Sequence, residues 1–238
     1  MRLDYRIKLL LFLTCACAVA FAGYVGYSAL STLNVLDRVE AERDHWQRPA
    51  DVIKALNLKG GDTVVDLGCG SGYFTLKLSS PVGERGRVIG EDIRRLPLFF
   101  LRVRARMKGK NNVSVSVGEP ADPHLPAEGV NSVLISNTYH EFEDPQAILR
   151  HVSTALVPDG TLVIVDRSGP SAMNATAETG EHEIASQKVV SDLQQTEFEV
   201  VRRDEQFIES DPQHESWWLI VARKARDSKM SSVSGVRP

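Results

Sequence analysis

The stretch Val64-Val65-Asp66-Leu67-Gly68-Cys69-Gly70-Ser71-Gly72-Tyr73-Phe74 decides the fold. A β-branched, apolar run ends in three alternating glycines, and a pattern typical of a helix begins at once at Tyr73. Glycine admits positive φ and lets a ligand lie against bare backbone. The N-terminus of the following helix presents unpaired N–H groups and a partial positive charge. The stretch therefore predicts a strand, a tight turn and a helix that bind an anionic group, either phosphate or carboxylate.

Strands and helices alternate on the C-terminal side of this turn. Strands separated by helices form a parallel sheet that is covered on both faces. The last two strands have no helix between them, which predicts an antiparallel hairpin. We expect a Rossmann-like, doubly wound α/β fold with a mostly parallel sheet, a C-terminal antiparallel hairpin and an N-terminal hydrophobic helix. The predicted strands are 63–67, 87–90, 113–117, 132–136, 161–166, 197–203 and 217–223, and the predicted helices between them are 73–80, 94–108, 145–156 and 185–195.

Residues 1–30 predict a membrane segment. Residues 9–30 contain no charged side chain, and about 22 helical residues at ~1.5 Å each span a bilayer core of roughly 30 Å. We expect an uncleaved, single-pass N-terminal anchor; the alternative is a cleaved signal peptide and an exported, periplasmic domain. The basic residues before and after the segment are nearly balanced in number, so the side of the membrane stays open.

The rest of the chain divides into three further parts. We expect a polar, partly helical connector over residues 31–48, a folded domain over 49–225 and a disordered, serine-containing tail over 226–238. The helix predicted at 94–108 interleaves arginines with more apolar residues than one buried face needs. Two interpretations of these extra apolar residues are open. The helix covers the sheet with its other side in water, or that other side lies on an anionic membrane surface.

Composition excludes several classes of protein. A formal net charge of −3 and 7% aromatic residues give neither a broad basic field nor a base-stacking surface, so we expect no nucleic-acid partner. The three cysteines Cys15, Cys17 and Cys69 have neither disulfide-framework nor metal-ligand spacing. No metal site is expected.

The spacing of the glycines distinguishes two kinds of ligand. A dinucleotide-binding turn has the pattern GxGxxG with an acidic residue about 20 residues on, whereas Gly68, Gly70 and Gly72 form GxGxG. Asp66 stands two residues before the first glycine. Its carboxylate would repel a pyrophosphate but would attract the ammonium group of an amino acid. S-adenosylmethionine carries such an ammonium together with a carboxylate and a sulfonium, and the stretch favours it.

From about Trp46 to Arg223 the chain resembles the class I S-adenosylmethionine-dependent methyltransferases. The resemblance implies S-adenosyl-L-methionine as the cofactor, with Asp66 and the three glycines in contact with it. The segment Asn137-Thr138-Tyr139-His140-Glu141-Phe142, which follows the fourth strand, resembles a variant found in a subgroup of small bacterial members. The upstream segment Trp46-Gln47-Arg48-Pro49 resembles the same subgroup.

The resemblance also implies cofactor contacts after the other strands. Asp92 falls on the acidic position that ends the second strand and holds the ribose hydroxyls, and Glu91 competes for that role. Glu119 or Asp122 follows the third strand, at the site that contacts the adenine. Asn137 ends the fourth strand and points toward the cofactor. Pro158-Asp159-Gly160 resembles the turn before the fifth strand.

The segment after the fourth strand also supplies the candidates for catalysis. Ligands of doubly wound sheets sit at the carboxyl ends of the strands. His140 and Glu141 are therefore the candidate general bases, and Tyr139 is a candidate cation-facing aromatic or positioning hydroxyl. His182 and His214 are weaker candidates for lining an acceptor pocket.

The sequence thus predicts methyl transfer from S-adenosylmethionine to a small-molecule or lipid-like acceptor that it does not name. Two alternatives remain open. One is an NAD-dependent oxidoreductase on a Rossmann fold, and the other is a non-catalytic, membrane-tethered scaffold that binds the cofactor. The oligomeric state is left open as well.

Overall fold

The computed structural model describes residues 4–168 and 183–225. The predicted tail over 226–238, and His182, lie outside these residues. The chain divides into two units, residues 1–43 and residues 44–238.

The first unit is helical. Helix α1 spans Tyr5–Trp46, so its end belongs to the second unit, and none of its residues is buried. Its 18-residue apolar window has a mean hydropathy of 2.1. By length and composition this helix is able to cross a membrane, a property that a signal sequence near the N-terminus shares. The predicted connector is not a separate element, because the helix continues through it to Trp46.

Within the described residues, the second unit contains one mixed sheet. Its strands are Thr63–Leu67 (β1), Arg87–Asp92 (β2), Val113–Val117 (β3), Val130–Ser136 (β4), Leu156–Arg167 (β5), Phe198–Ile208 (β6) and Trp217–Lys224 (β7). They lie in the order β3-β2-β1-β4-β5-β7-β6. The first five strands are parallel, and β7 runs antiparallel to both β5 and β6. The predicted parallel sheet with a C-terminal antiparallel hairpin is confirmed.

Helices cover both faces of the sheet, as expected for a doubly wound fold. They are Pro49–Ala55 (α2), Tyr73–Val82 (α3), Arg95–Met107 (α4), Pro145–Ala155 (α5) and Ser186–Gln194 (α6), with a short 3-10 helix at Tyr139–Glu141. The neighbours Val64 and Val65 show why two layers are needed, because successive side chains of a strand point to opposite faces. Val64 packs with α2 and α3, whereas Val65 packs with α5 and α6.

The parallel register brings the carboxyl ends of four strands to one edge of the sheet. Leu67 at the end of β1 is paired with Glu91 of β2 on one side and with Ile135 of β4 on the other. Ser136 of β4 is paired with Val165 of β5. The residues that follow these strands therefore meet around the glycine turn.

One predicted turn lies inside a strand. Residues 158–160 fall within β5, which begins at Leu156 rather than at Thr161. The register between β4 and β5 shifts there, since Val130 pairs with Leu156 and Ser132 with Thr161, and Asp159 has a φ of 61°. The segment is a bulge in the strand, and the regular pairing begins at the predicted position.

Candidate active site

The glycine turn connects β1 to α3 with backbone angles that favour glycine. Gly68, Gly70 and Gly72 have φ of 72°, 54° and 92°. A Cβ atom on Gly68 would lie 2.2 Å from Cγ2 of Thr138, and one on Gly72 would lie 2.3 Å from Cδ1 of Leu101. A Cβ on Gly70 would meet nothing within 4 Å. Two glycines are therefore required by packing, whereas Gly70 leaves bare backbone exposed to a ligand.

Asp92 ties the end of β2 to this turn. Its Oδ2 accepts a hydrogen bond of 2.8 Å from the N–H of Gly70, and its Oδ1 accepts one of 2.8 Å from the N–H of Arg94. The guanidinium of Arg94 donates to both carboxylate oxygens, and these hydrogen bonds raise the pKa of Arg94. The side chain of Asp92 is only 3% exposed. The predicted ribose-binding carboxylate thus lies directly beside the bare Gly70.

Glu91 lies next to Asp92 and is equally buried. Its Oε2 accepts a weak hydrogen bond of 3.4 Å from the N–H of Gly68. Burial, together with the nearby charges of Asp92 and Asp66, raises the pKa of Glu91 to about 8. At neutral pH this side chain is a carboxylic acid, able to donate a hydrogen bond as well as accept one.

A pocket open to solvent lies between this cluster and the segments that follow β3 and β4. Apolar side chains form much of its wall, including Phe142, Ile148 and Pro123. Glu119, Glu141 and Glu143 also line it, together with Glu91 and Asp92. Arg94 is the only basic side chain among the described residues that line this pocket. Such a pocket suits a ligand with an apolar, planar part and a positive charge.

Asp66 does not line this pocket. It is buried beneath the turn, where it accepts a hydrogen bond of 2.5 Å from Oγ1 of Thr75 in α3. The structure therefore favours a role in holding α3 against the turn rather than the predicted contact with an ammonium group. Cys69 is buried nearby, and burial, with the charges of Asp66 and Asp92, raises the pKa of its thiol well above the ordinary value.

The three predicted catalytic residues are adjacent in the segment after β4, but their side chains lie in different environments. Glu141 lines the pocket, with its side chain 52% exposed. Tyr139 is buried in the core, and its hydroxyl donates a 3.1 Å hydrogen bond to Oδ2 of Asp192. That side chain is occupied within the core, so a cation-facing or positioning role at the pocket does not fit its placement. The burial and the hydrogen bond favour a structural role for Tyr139, and its catalytic role stays an untested prediction.

His140 is held by a carboxylate that the sequence reasoning did not single out. Its Nδ1 lies 2.8 Å from Oδ1 of Asp166, and its backbone N–H donates to Oδ2 of the same residue. Nε2 of His140 lies 3.8 Å from Oε1 of Glu141. Asp166 is the penultimate residue of β5, the strand next to β4. The rule that carboxyl ends of neighbouring parallel strands meet would have identified it.

Asn137 is engaged by the same strand. It has a φ of 55°, and its Oδ1 accepts a 3.0 Å hydrogen bond from Nε of Arg167. Arg167 also donates to Glu215 at 3.0 Å. Asn137 is not among the residues that line the pocket, and its geometry fits a link between β4 and β5.

Of the other predicted site residues, one lines the pocket and two lie outside it. Glu119 lines the pocket, while Asp122 lies outside it and accepts a hydrogen bond from the N–H of His124. His214 is in a loop before β7 and not in the pocket. The structure thus brings together Gly68, Gly70, Asp92, Glu91, Glu119 and Glu141. Among the described residues, no group of three or more His, Cys, Asp or Glu side chains is arranged to hold a metal ion.

Known sequences resemble most of this unit. A sequence model described as a methyltransferase domain matches residues 58–224. The demethylmenaquinone methyltransferase of Oceanobacillus iheyensis is 23% identical over 145 residues, which are 61% of this chain and 60% of that protein. The chain spans about half to three fifths of the length of the first curated relatives it matches.

Solved structures share the fold. A SAM dependent methyltransferase from Aquifex aeolicus has a TM-score of 0.68 at 22% identity, over 81% of this chain and 98% of that one. A geranyl diphosphate C-methyltransferase from Streptomyces coelicolor, crystallised with S-adenosyl-L-homocysteine, has a TM-score of 0.62 at 18% identity. That match covers 75% of this chain and 76% of the other. At these identities the likeness shows the fold alone.

Proposed function

This chain belongs to the methyltransferase-domain family, and from that premise we infer that it transfers a methyl group from S-adenosyl-L-methionine to an acceptor. One observation carries the inference. The N–H of Gly70 in the glycine turn donates a 2.8 Å hydrogen bond to the buried Asp92, and Asp92 lines a pocket with several carboxylates. These groups suit a cofactor that has an amino acid end, a ribose and a sulfonium.

The residues at the turn fit S-adenosylmethionine. We propose that Asp92 accepts hydrogen bonds from the ribose hydroxyls and that Gly68 and Gly70 give the amino acid end access to the backbone. Glu91 and Glu119 adjoin the same space, and Phe142 and Ile148 provide apolar contacts of the kind an adenine requires. When bound, this cofactor supplies a methyl group on a positively charged sulfur. The carboxylates that line the pocket favour a cationic ligand over a pyrophosphate.

His140 is the proposed general base, with Asp166 as its positioning residue. A carboxylate only accepts hydrogen bonds, so the 2.8 Å contact assigns the proton to Nδ1 and leaves Nε2 as the basic nitrogen of the ring. The dyad would take a proton from an acceptor whose nucleophile must lose one before attack. Glu141 is the second candidate, because its carboxylate lines the pocket. An acceptor that is already nucleophilic would need only to be held in line with the methyl group.

The acceptor is proposed to be a small or membrane-associated molecule. Two similar proteins are named for demethylmenaquinone and for geranyl diphosphate, which supports a small-molecule acceptor. We propose that α1 is a single-pass anchor, since its apolar window is long enough to span a bilayer and none of its residues is buried. Signal-peptide cleavage and export remain the alternative for this segment.

Membership of the family favours methyl transfer over the nicotinamide-dependent alternative, and the GxGxG spacing agrees with it. The other alternative is a scaffold that binds the cofactor without turnover. Only a measurement of methyl transfer excludes it.

The test uses the full-length chain in detergent. Calorimetric titration with S-adenosylhomocysteine should give binding in the micromolar range, and NADH should give none. Transfer of labelled methyl from S-adenosylmethionine to a panel of quinols, phenols and prenyl lipids then measures turnover. Binding without transfer to any acceptor would leave the scaffold, and absence of binding by a folded protein would refute the proposed cofactor.

A further inference from the structure

Helix α4 carries two parallel stripes of side chains outside its buried face, and all of them are exposed except the half-buried Phe100 and Val103. A spacing of four, three and four residues places side chains on one line along a helix. The first stripe is basic apart from one phenylalanine and consists of Arg95, Phe99, Arg102 and Arg106. The second stripe is apolar and consists of Leu96, Phe100, Val103 and Met107.

The apolar stripe is unusually exposed for a helix that covers a sheet. Leu96 and Met107 of this stripe are 67% and 68% exposed. Phe99 of the basic stripe is 57% exposed, and Ile93, two residues before the helix, is 54% exposed. The buried side of α4 is a different set, formed by Leu98, Leu101, Arg104 and Ala105. The core therefore does not need the exposed apolar residues, and a monomer gains nothing by presenting them to water.

The stretch of sequence that contains α4 carries only basic charged side chains and no acidic ones. Between Asp92 and Glu119 the sequence has seven arginines and lysines and no acidic residue. The side chains of Arg95, Arg102 and Arg106 are exposed, and none of the three pairs with a carboxylate within the described residues. A shallow depression beside them is lined by Arg102, Arg106 and Lys110 and contains no carboxylate. This surface is complementary to a dense layer of negative charge.

We propose that the exposed face of α4 is a docking surface for an anionic lipid bilayer. The apolar stripe would enter the boundary between headgroups and acyl chains, while the arginines would contact lipid phosphates. Arginine stems extend along apolar surface with the charge in the headgroup layer. The N-terminal apolar helix of the same chain points to a membrane rather than an acidic protein as the partner.

Docking would also orient the pocket. Ile93 and Arg94 line the pocket and directly precede α4. A bilayer that contacts Ile93 and Leu96 therefore lies at one margin of the pocket. This part of the inference rests on the proposed function, because it explains how a lipid-like acceptor would reach the site. The docking itself does not depend on methyl transfer.

The test reconstitutes the full chain in bilayers that contain a photoactivatable phospholipid and maps the labelled peptides by mass spectrometry. The bilayers are phosphatidylcholine alone, or phosphatidylcholine mixed with phosphatidylglycerol. We expect label on residues 94–107 in the anionic bilayers and much less in the neutral ones. Label on residues 9–30 serves as the internal reference.

Two variants separate the stripes. Arg95→Gln, Arg102→Gln and Arg106→Gln together should reduce the α4 label about tenfold or more, because each basic residue near the surface adds about a factor of five. Leu96→Gln with Met107→Gln, which changes only the apolar stripe, should reduce it as well. Neither variant touches the core, and circular dichroism verifies the fold. The matched control is Lys54→Gln, Arg150→Gln and Arg223→Gln, which removes the same charge from exposed sites elsewhere and should leave the label unchanged.

The proposal fails if residues 94–107 remain unlabelled in anionic bilayers, whether or not residues 9–30 are labelled. It also fails if the label persists in the triple Gln variant, or if α4 crosslinks to a second protein copy instead of lipid. Methyl transfer is not measured, so failure of the proposed activity would not affect the result.

Discussion

Nδ1 of His140 lies 2.8 Å from Oδ1 of Asp166, and both side chains are almost fully buried, at 2% and 0% exposed. His140 lies in the 3-10 helix after β4 and Asp166 near the end of the neighbouring strand β5, 26 positions apart in the sequence. A buried carboxylate that orients an imidazole fixes which ring nitrogen is basic. The contact with Asp166 therefore fixes the orientation of the His140 ring and makes Nε2 its basic nitrogen.

Replacement of His140 by Asn should lower kcat by about 10²–10⁴-fold if proton removal is required. Affinity for S-adenosylhomocysteine should stay within about twofold, because the role proposed for His140 is to take a proton from the acceptor and not to contact the cofactor. Asp166→Asn should lower kcat less and shift its pH profile, since the ring loses the carboxylate that orients it. Unaltered turnover in His140→Asn would remove it from the mechanism and leave Glu141.

Tyr139→Phe should separate structure from catalysis. Loss of the hydroxyl removes the hydrogen bond to Asp192 and should lower the free energy of unfolding by about 1 kcal/mol. Turnover should not change. Urea denaturation and steady-state kinetics on the same preparation check both statements, and a large loss of kcat without loss of stability would restore the catalytic interpretation.

Asp92→Ala should weaken binding of S-adenosylhomocysteine by about 1.5–3 kcal/mol, the usual worth of hydrogen bonds to a charged group. Calorimetric titration measures the change. The control is Asp204→Ala, which removes an aspartate paired with Arg202 on β6, away from the pocket. If the affinity of Asp92→Ala equals that of the natural protein, the ribose contact belongs to Glu91.

The glycines of the turn should respond differently to alanine. Gly70→Ala meets no protein atom and should lower stability by only about 1 kcal/mol, the cost of a left-handed alanine, while cofactor affinity falls sharply. Gly68→Ala drives a methyl into Thr138 and should lower stability by considerably more. Thermal unfolding with and without S-adenosylhomocysteine distinguishes the two, and equal destabilisation would contradict the assignment.

Glu91 should make the stability of the protein depend on pH. In the folded protein its pKa is about 8, against an ordinary value of 4.5. Between these values the unfolded chain releases the proton and the folded protein retains it, so rising pH favours unfolding. Glu91→Gln has no such proton. Its free energy of unfolding relative to the natural protein should therefore increase from about pH 4.5 to about pH 8 and then level off.

Denaturation at a series of pH values tests this dependence. Glu119→Gln is the control, because Glu119 lines the same pocket but is exposed. A constant difference between Glu91→Gln and the natural protein across that range would show that Glu91 is ionised in the folded state.

Sequence reasoning succeeded where one local pattern determines the structure. The strand bounds at Thr63–Leu67 and Val113–Val117 were predicted to the residue, since β-branched runs end in glycine or polar turns there. It was less accurate at β6, which extends to Ile208 because pairing with β7 continues beyond the apolar run. Tertiary pairing set that boundary, not local propensity.

The candidate site was predicted only in part, because its geometry also depends on contacts between residues that are distant in the sequence. Gly70 and Asp92 were singled out from two separate local patterns, the glycine turn and the end of the second strand, and the two residues are joined by a hydrogen bond. The burial of Asp66 and Tyr139 depends on Thr75 and Asp192, which lie 9 and 53 positions away. No local pattern indicates which polar group a buried hydroxyl will reach.

The position of β7 has a consequence for biosynthesis. In the sheet β7 lies between β5 and β6, although it is the last strand of the described residues. Until β7 has emerged from the ribosome, β6 has no partner in the sheet and the edge of β5 from Thr161 to Arg167 is open. The nascent chain therefore carries two unpaired strand edges, of the kind that invite aggregation, until Lys224 has emerged. A premature stop after β6 would leave both edges exposed permanently, so the truncated chain should aggregate more readily than the chain that contains the eight residues of β7.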